Sequence, residues 1–249
     1  MSTPNVSSPD FAQEKVQQQG SQQDVVYNSG AAMSRFITPG GHPADNSQPA
    51  LPVFHRKFAN PAPLGLMGFG GTTLLLSLYN LGARGVEKPN VLVGVALMYG
   101  GVCQIICGCM EWACGNTFGT CAFTGYGAFW VSFACINIPW FGVAKAYEKN
   151  PNEMAQAVGL YLVMWGIVTC FLLTALLRSS VALCFTFFVV ACAFFCLAAG
   201  DLCASHAAKL AGGGFGIAGG LGAMYVALAG LLDGNTSYFT LPIGNLAPA

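Results

Sequence analysis

The chain has 249 residues, of which 54% are hydrophobic and 8% charged, and its ten basic and ten acidic side chains cancel; mean hydropathy is +0.57. An ordinary soluble domain carries about 25% charged residues, so this composition excludes a soluble globular surface and points to an all-α membrane protein. With neither a basic stripe nor an acidic tail, nothing suggests a nucleic-acid partner.

Residues 1–58 are rich in Ser, Gln, Pro, Asn and Gly and include the low-complexity run Gln17-Gln18-Gln19-Gly20-Ser21-Gln22-Gln23. Such a segment cannot bury a core and is expected to be disordered. It lacks the charged-then-apolar start of a cleaved signal peptide, so it is expected to stay in the cytoplasm.

The first apolar segment opens on Asn60-Pro61-Ala62-Pro63-Leu64-Gly65-Leu66-Met67-Gly68-Phe69-Gly70-Gly71. Asn60 suits a helix N-cap and Pro61 the first helical position. The positive end of a helix can also hold an anion. Pro61 and Pro63 remove N–H donors there, which leaves the Asn60 side-chain amide as the expected donor.

Six apolar segments follow, at roughly 61–80, 91–112, 117–140, 154–177, 180–200 and 211–232, each near the ~20 residues a spanning helix needs. A transmembrane domain over 59–233 is therefore expected, with a C-terminal tail over 234–249. An even number of spans puts both termini on one side. Arg56, Lys57 and Arg178 fall on the tail side, and Arg84, Lys88, Lys145, Lys149 and Lys209 on the other. The positive-inside rule leans against an internal tail, but moving a long polar tail across a membrane without a signal is the harder proposal, and the cytoplasmic assignment is kept.

Gly115–Gly119 and Gly216–Gly220 are small-xxx-small patterns of the kind that let helices approach in lipid. The run Gly212-Gly213-Gly214 is expected to loosen the start of the last helix. The 11 cysteines are scattered through apolar segments and the three histidines lie outside them. They read as small packing residues rather than disulfide partners or metal ligands, and no metal or cofactor is expected.

The opening motif resembles the signature of the acetate uptake transporters, the succinate–acetate permeases of bacteria and the ammonia/acetate transporters of fungi. Glu111-Trp112 with Gly115-Asn116-Thr117-Phe118-Gly119 is similar to that family's junction between its second and third helices. Ala122-Phe123-Thr124-Gly125-Tyr126-Gly127-Ala128-Phe129-Trp130, Gly159-Leu160-Tyr161 with Trp165-Gly166, and Leu241-Pro242-Ile243-Gly244 extend the likeness over residues 58–245. The resemblance implies a six-helix protomer with its own pore, a hexameric ring in the plasma membrane, and proton-coupled transport of acetate and other short monocarboxylates, with succinate, lactate and propionate as further candidates. The long tail suits a fungal member.

The resemblance also implies a hydrophobic constriction made from an aromatic, a tyrosine and a leucine on the first, third and fifth helices. Phe69 and Tyr126 hold the first two positions; Val190 stands at the third, a departure from leucine. At 1.5 Å rise per residue, these three lie ~13, ~15 and ~16 Å beyond Asn60, Asn116 and Ser179 on co-directed helices. All three therefore fall near the middle of a ~30 Å hydrocarbon core. The Tyr126 hydroxyl is the one polar handle and is expected to donate to a carboxyl oxygen. Valine in place of leucine is expected to widen the gate enough for lactate or propionate.

Glu111 is expected to act as a proton or gating group at the cytoplasmic mouth, or else to be a solvated carboxylate that caps or pairs. Gln104, Asn116, Thr117, Thr124 and Asn137 are expected to line the pore or to bond across helices. Two other readings are an uncoupled channel for a neutral solute such as acetic acid, ammonia or urea, and an acetate sensor that signals through its tail. No intramembrane charged pair, Ser/His/Asp set or metal cluster supports an enzyme.

Overall fold

The computed structural model describes residues 58–86 and 88–246. The expected disordered tail lies outside the described residues apart from Phe58, as do Arg56 and Lys57. Six helices are long and apolar enough to cross a membrane: α1 Ala62–Asn80, α2 Asn90–Ala113, α3 Thr117–Asn137, α4 Pro151–Leu176, α5 Val181–Leu202 and α6 His206–Leu231. No strand occurs among the described residues.

Four of the six helix starts carry a polar side-chain cap. Asn116, Asn150, Ser180 and Ser205 accept from the backbone N–H groups of Gly119, Glu153, Leu183 and Ala208, at 3.0–3.3 Å, which satisfies first-turn donors that have no intrahelical partner. These caps start α4 at Pro151 and α6 at His206, ahead of the apolar runs. The Gly212–Gly214 run consequently lies inside α6 and does not loosen its start. A Cβ at Gly212 would come 2.6 Å from Leu197, and one at Gly213 3.0 Å from Leu81. Asn60 also departs from expectation. Pro61 occupies the cap of α1, and the Asn60 Oδ1 accepts from Ala62 N–H at 3.1 Å from one residue further out.

In space the helices pack in the order α3–α2–α1–α6–α5–α4, and a lighter contact between α3 and α4 closes the circuit. The α1–α6 pair is held by bare backbone. A Cβ at Gly70 would lie 2.8 Å from the Gly220 carbonyl oxygen, and one at Gly220 2.9 Å from that of Gly70. Gly115–Gly119 is no such face: Gly115 sits in a turn at φ +77°, and a Cβ on Gly119 would strike the Glu111 carboxylate at 2.8 Å.

Two features carry no hydropathy signal. Ala96–Cys103 within α2 winds as a π-helix, a local widening often found at functional sites. It places Gly100 where a Cβ would lie 2.8 Å from both Thr72 Oγ1 and the Trp130 ring. At the other end of the chain, Val181 and Ala182 donate to the carbonyls of Gly244 and Ile243 at 2.7 and 3.0 Å. The Leu241–Gly244 motif thereby occupies two orphan donors at the start of α5, and Tyr225 ties the motif to α6 through Pro242 O at 2.6 Å.

Candidate substrate pathway

Phe69, Tyr126 and Val190 meet. Each is buried, at 6%, 3% and 4% exposure, and the Phe69 and Tyr126 rings are 4.9 Å apart between centroids. The three surround a cavity of about 20 Å³, completed by Leu66, Thr186, Phe187 and Ala223. That is room for about one water molecule. Thr186 Oγ1 donates to Ala182 O at 2.8 Å, so its hydroxyl proton is engaged within α5. Phe187 is a wall residue the sequence reading missed, with its ring 5.9 Å from Tyr126. It lies three residues before Val190, the spacing that puts two side chains on one helix face, and that spacing could have revealed it.

The Tyr126 hydroxyl is committed in a way that sequence spacing does not reveal. It donates to Thr169 Oγ1 on α4 at 3.0 Å, and Thr169 donates to the Trp165 carbonyl at 2.8 Å. The direction is forced: a carbonyl only accepts, so Thr169 spends its one proton there and its oxygen receives Tyr126's. The proton that was expected to serve a substrate carboxyl oxygen is here engaged by Thr169. What Tyr126 leaves at the constriction is an acceptor lone pair.

Toward the Asn80 end lies a larger cavity, a vestibule of about 150 Å³, which shares Phe69 and Val190 with the constriction. Phe69 and Val190 floor it, Thr73, Trp130 and Ser77 wall it, and Asn80, Asp201 and Lys209 stand at its mouth. Lys209 Nζ pairs with Asp201 Oδ1 at 2.7 Å. The indole N–H of Trp130, a side chain only 2% exposed, has no partner in the described structure.

The remaining candidates line neither cavity. Glu111 is buried at 3% exposure, not solvated; its Oε2 accepts from Asn116 Nδ2 at 2.6 Å and its Oε1 has no partner among the described residues. Asn116 divides itself between that bond and the α3 cap. Gln104 is 1% exposed, and neither amide atom has a partner among the described residues. Thr124 packs on Gly108 and bonds to Thr120 O at 2.6 Å. Thr117 and Asn60 are exposed, and Asn137 is exposed and bonds to Phe133 O at 2.8 Å. None of these bonds crosses to another helix except that between Asn116 and Glu111.

Comparison with known proteins matches residues 44–247 to the profile of the GPR1/FUN34/yaaH family. The chain is 44% identical over 207 residues to accumulation of dyads protein 2 of Saccharomyces cerevisiae, covering 83% of this chain and 70% of that one. It is 40% identical over 189 residues to the succinate-acetate/proton symporter SatP of Escherichia coli, covering 76% and 96%. Among solved structures, that of the bacterial acetate channel SatP superposes with a TM-score of 0.68 at 40% identity, over 76% of this chain and all of that one.

Proposed function

From the premise that the chain belongs to the GPR1/FUN34/yaaH family, we propose that it is a membrane transporter, not an enzyme, that passes acetate and other short monocarboxylates between Phe69, Tyr126 and Val190 as the neutral acid, so that each molecule carries a proton. The names of the relatives support acetate, and that of the SatP symporter includes succinate as well. The observation that carries the charge state is the hydrogen-bond direction at Tyr126. A carboxylate squeezed through these walls sheds its water and finds no donor in exchange, at a cost of several kcal/mol. A neutral acid sheds less, and its own O–H can donate to the Tyr126 oxygen. Net movement of acid is net movement of acetate plus a proton, so coupling needs no separate proton route.

A simple carboxylic acid has a pKa of ~4–5 by analogy with side-chain carboxyls, and above it the neutral share falls about tenfold per pH unit. Acetate uptake into proteoliposomes is expected to fall as external pH rises through that range and to be driven by an inward proton gradient. A flux indifferent to pH would contradict the proposal.

Val190 bears on size. Val190→Leu is expected to lower the lactate-to-acetate uptake ratio about tenfold or more, one methylene in a fitted passage being worth ~1–3 kcal/mol. An unchanged ratio would mean that Val190 does not set the width.

The same proposal includes a plasma-membrane location, cytoplasmic termini with residues 1–58 as an internal tail, a transport domain over 59–233, a short C-terminal tail and a hexameric ring. With the tail inside, the vestibule opens outward. Exposed apolar side chains such as Trp112, Leu160 and Phe171 support burial of the outer face in lipid or against neighbouring copies.

A further inference from the structure

We propose that Asp201 and Lys209 form a charge filter at the vestibule mouth that admits one carboxylate and turns away a second. This rests on the transport reading above and extends it from the constriction to the entrance. The two are the charged residues that line the vestibule, whose floor is Phe69 and Val190. A solute approaching the constriction from that side passes them.

The pair is poorly placed for helix stability, which leaves the entrance as its stronger rationale. Asp201 lies in the last turn of α5 and Lys209 in the first turn of α6. Each charge therefore sits at the helix end whose dipole opposes it. The fold nevertheless holds them together. Gly200 offers bare backbone beneath the lysine stem, and a Cβ there would strike Lys209 Cγ and lie 3.1 Å from its backbone nitrogen. Nζ then reaches Asp201 at 2.7 Å, with the lysine side chain 49% and the aspartate 17% exposed.

That exposure suits an exchange. An incoming carboxylate takes Lys209 in place of Asp201, as one charge-assisted hydrogen bond for another. Asp201 stays in the mouth as an uncompensated negative charge. A monocarboxylate leaves the mouth by taking a proton from the solvent that reaches the half-exposed Lys209, and as the neutral acid descends past Trp130, whose indole N–H has no partner among the described residues and can receive it. A dicarboxylate keeps a second negative charge beside Asp201 and is repelled. Asp201 is thus the residue that sets specificity, and Lys209 the one that captures.

The test is uptake of acetate and of succinate by the full-length protein in proteoliposomes at neutral pH. Asp201→Asn is expected to raise the succinate-to-acetate ratio about tenfold, the size of one unit charge acting at close range in a partly solvated mouth. Lys209→Gln is expected to raise the KM for acetate with little change in kcat, and Lys209→Arg to recover the KM that Lys209→Gln loses. If the wild type moves acetate and Asp201→Asn leaves the ratio where it was, the filter is wrong and the transport reading survives. If the wild type moves no acetate, the transport reading falls and the filter with it. Equal KM values for Lys209→Gln and wild type would likewise overturn the capture role.

Discussion

Thr169→Val is expected to flatten the pH dependence of acetate flux. In the wild type the proton of the Tyr126 hydroxyl is spent on Thr169, which spends its own on the Trp165 carbonyl. Valine keeps the branched shape but accepts nothing, so Tyr126 regains a free donor at the narrowest point of the path. A donor there can replace part of the hydration of an ionised carboxylate, at ~1.5–3 kcal/mol for a bond to a charged group. Wild-type flux is expected to fall about a thousandfold between pH 5 and pH 8, following the neutral fraction. The variant is expected to retain ~10–100 times more of its flux at pH 8, where the anion dominates, in line with that same bond strength. Flux at pH 5 changes little, because the neutral acid finds an oxygen acceptor in either protein. Radiolabelled acetate uptake across the pH series reads the slope directly. A slope identical to wild type would mean that the hydroxyl's direction does not select the charge state.

How much of this was legible in the sequence depends on distance along the chain. The six helices were legible because hydropathy is a local sum and lipid makes it decisive. Helix starts were not, where a polar cap such as Ser205 draws a stretch containing His206 and Lys209 into the helix. The shared depth of Phe69, Tyr126 and Val190 followed from co-directed helices and a fixed rise per residue, whereas their meeting in one constriction was what the resemblance implied. Thr169 was invisible, since it lies 43 residues from Tyr126 and no local spacing links a side chain to its partner on another helix. Phe187 was within reach, being three residues from Val190 on one face. Lys209 was read only as a charge that bears on orientation and Asp201 drew no reading of its own, because their pairing depends on the close approach of α5 and α6 at Gly200. The π-turn in α2 leaves no mark on composition: Gly100 and Gly101 fit a packed helix of either pitch.

Gly220→Leu is expected to abolish the folded protein, and Gly220→Ala to lower its stability by ~1–3 kcal/mol, as overpacking of a fitted interior does. Gly220 faces the backbone of α1 and the Cβ of Leu74. A Cβ there would lie 2.9 Å from Gly70 O and 3.0 Å from Leu74 N, and no rotamer change moves these atoms or the Leu74 Cβ. The helices themselves must part. In lipid there is no hydrophobic penalty to draw them back, because association rests on packing, so each lost contact is lost outright. The damage also reaches the constriction. Phe69 adjoins Gly70, and Ala223 lies one turn along from Gly220 in the wall of the small cavity. A shift of α1 away from α6 widens the passage that Phe69 and Tyr126 close at 4.9 Å. Gly214 is the matched control. A Cβ there meets nothing within 4 Å, and alanine is the better helix former by ~1 kcal/mol, so Gly214→Ala should hold or raise the melting temperature in detergent. If Gly220→Ala melts with Gly214→Ala rather than well below it, the α1–α6 backbone contact is not what holds the bundle, and the constriction must be kept narrow by the Tyr126–Thr169 side instead.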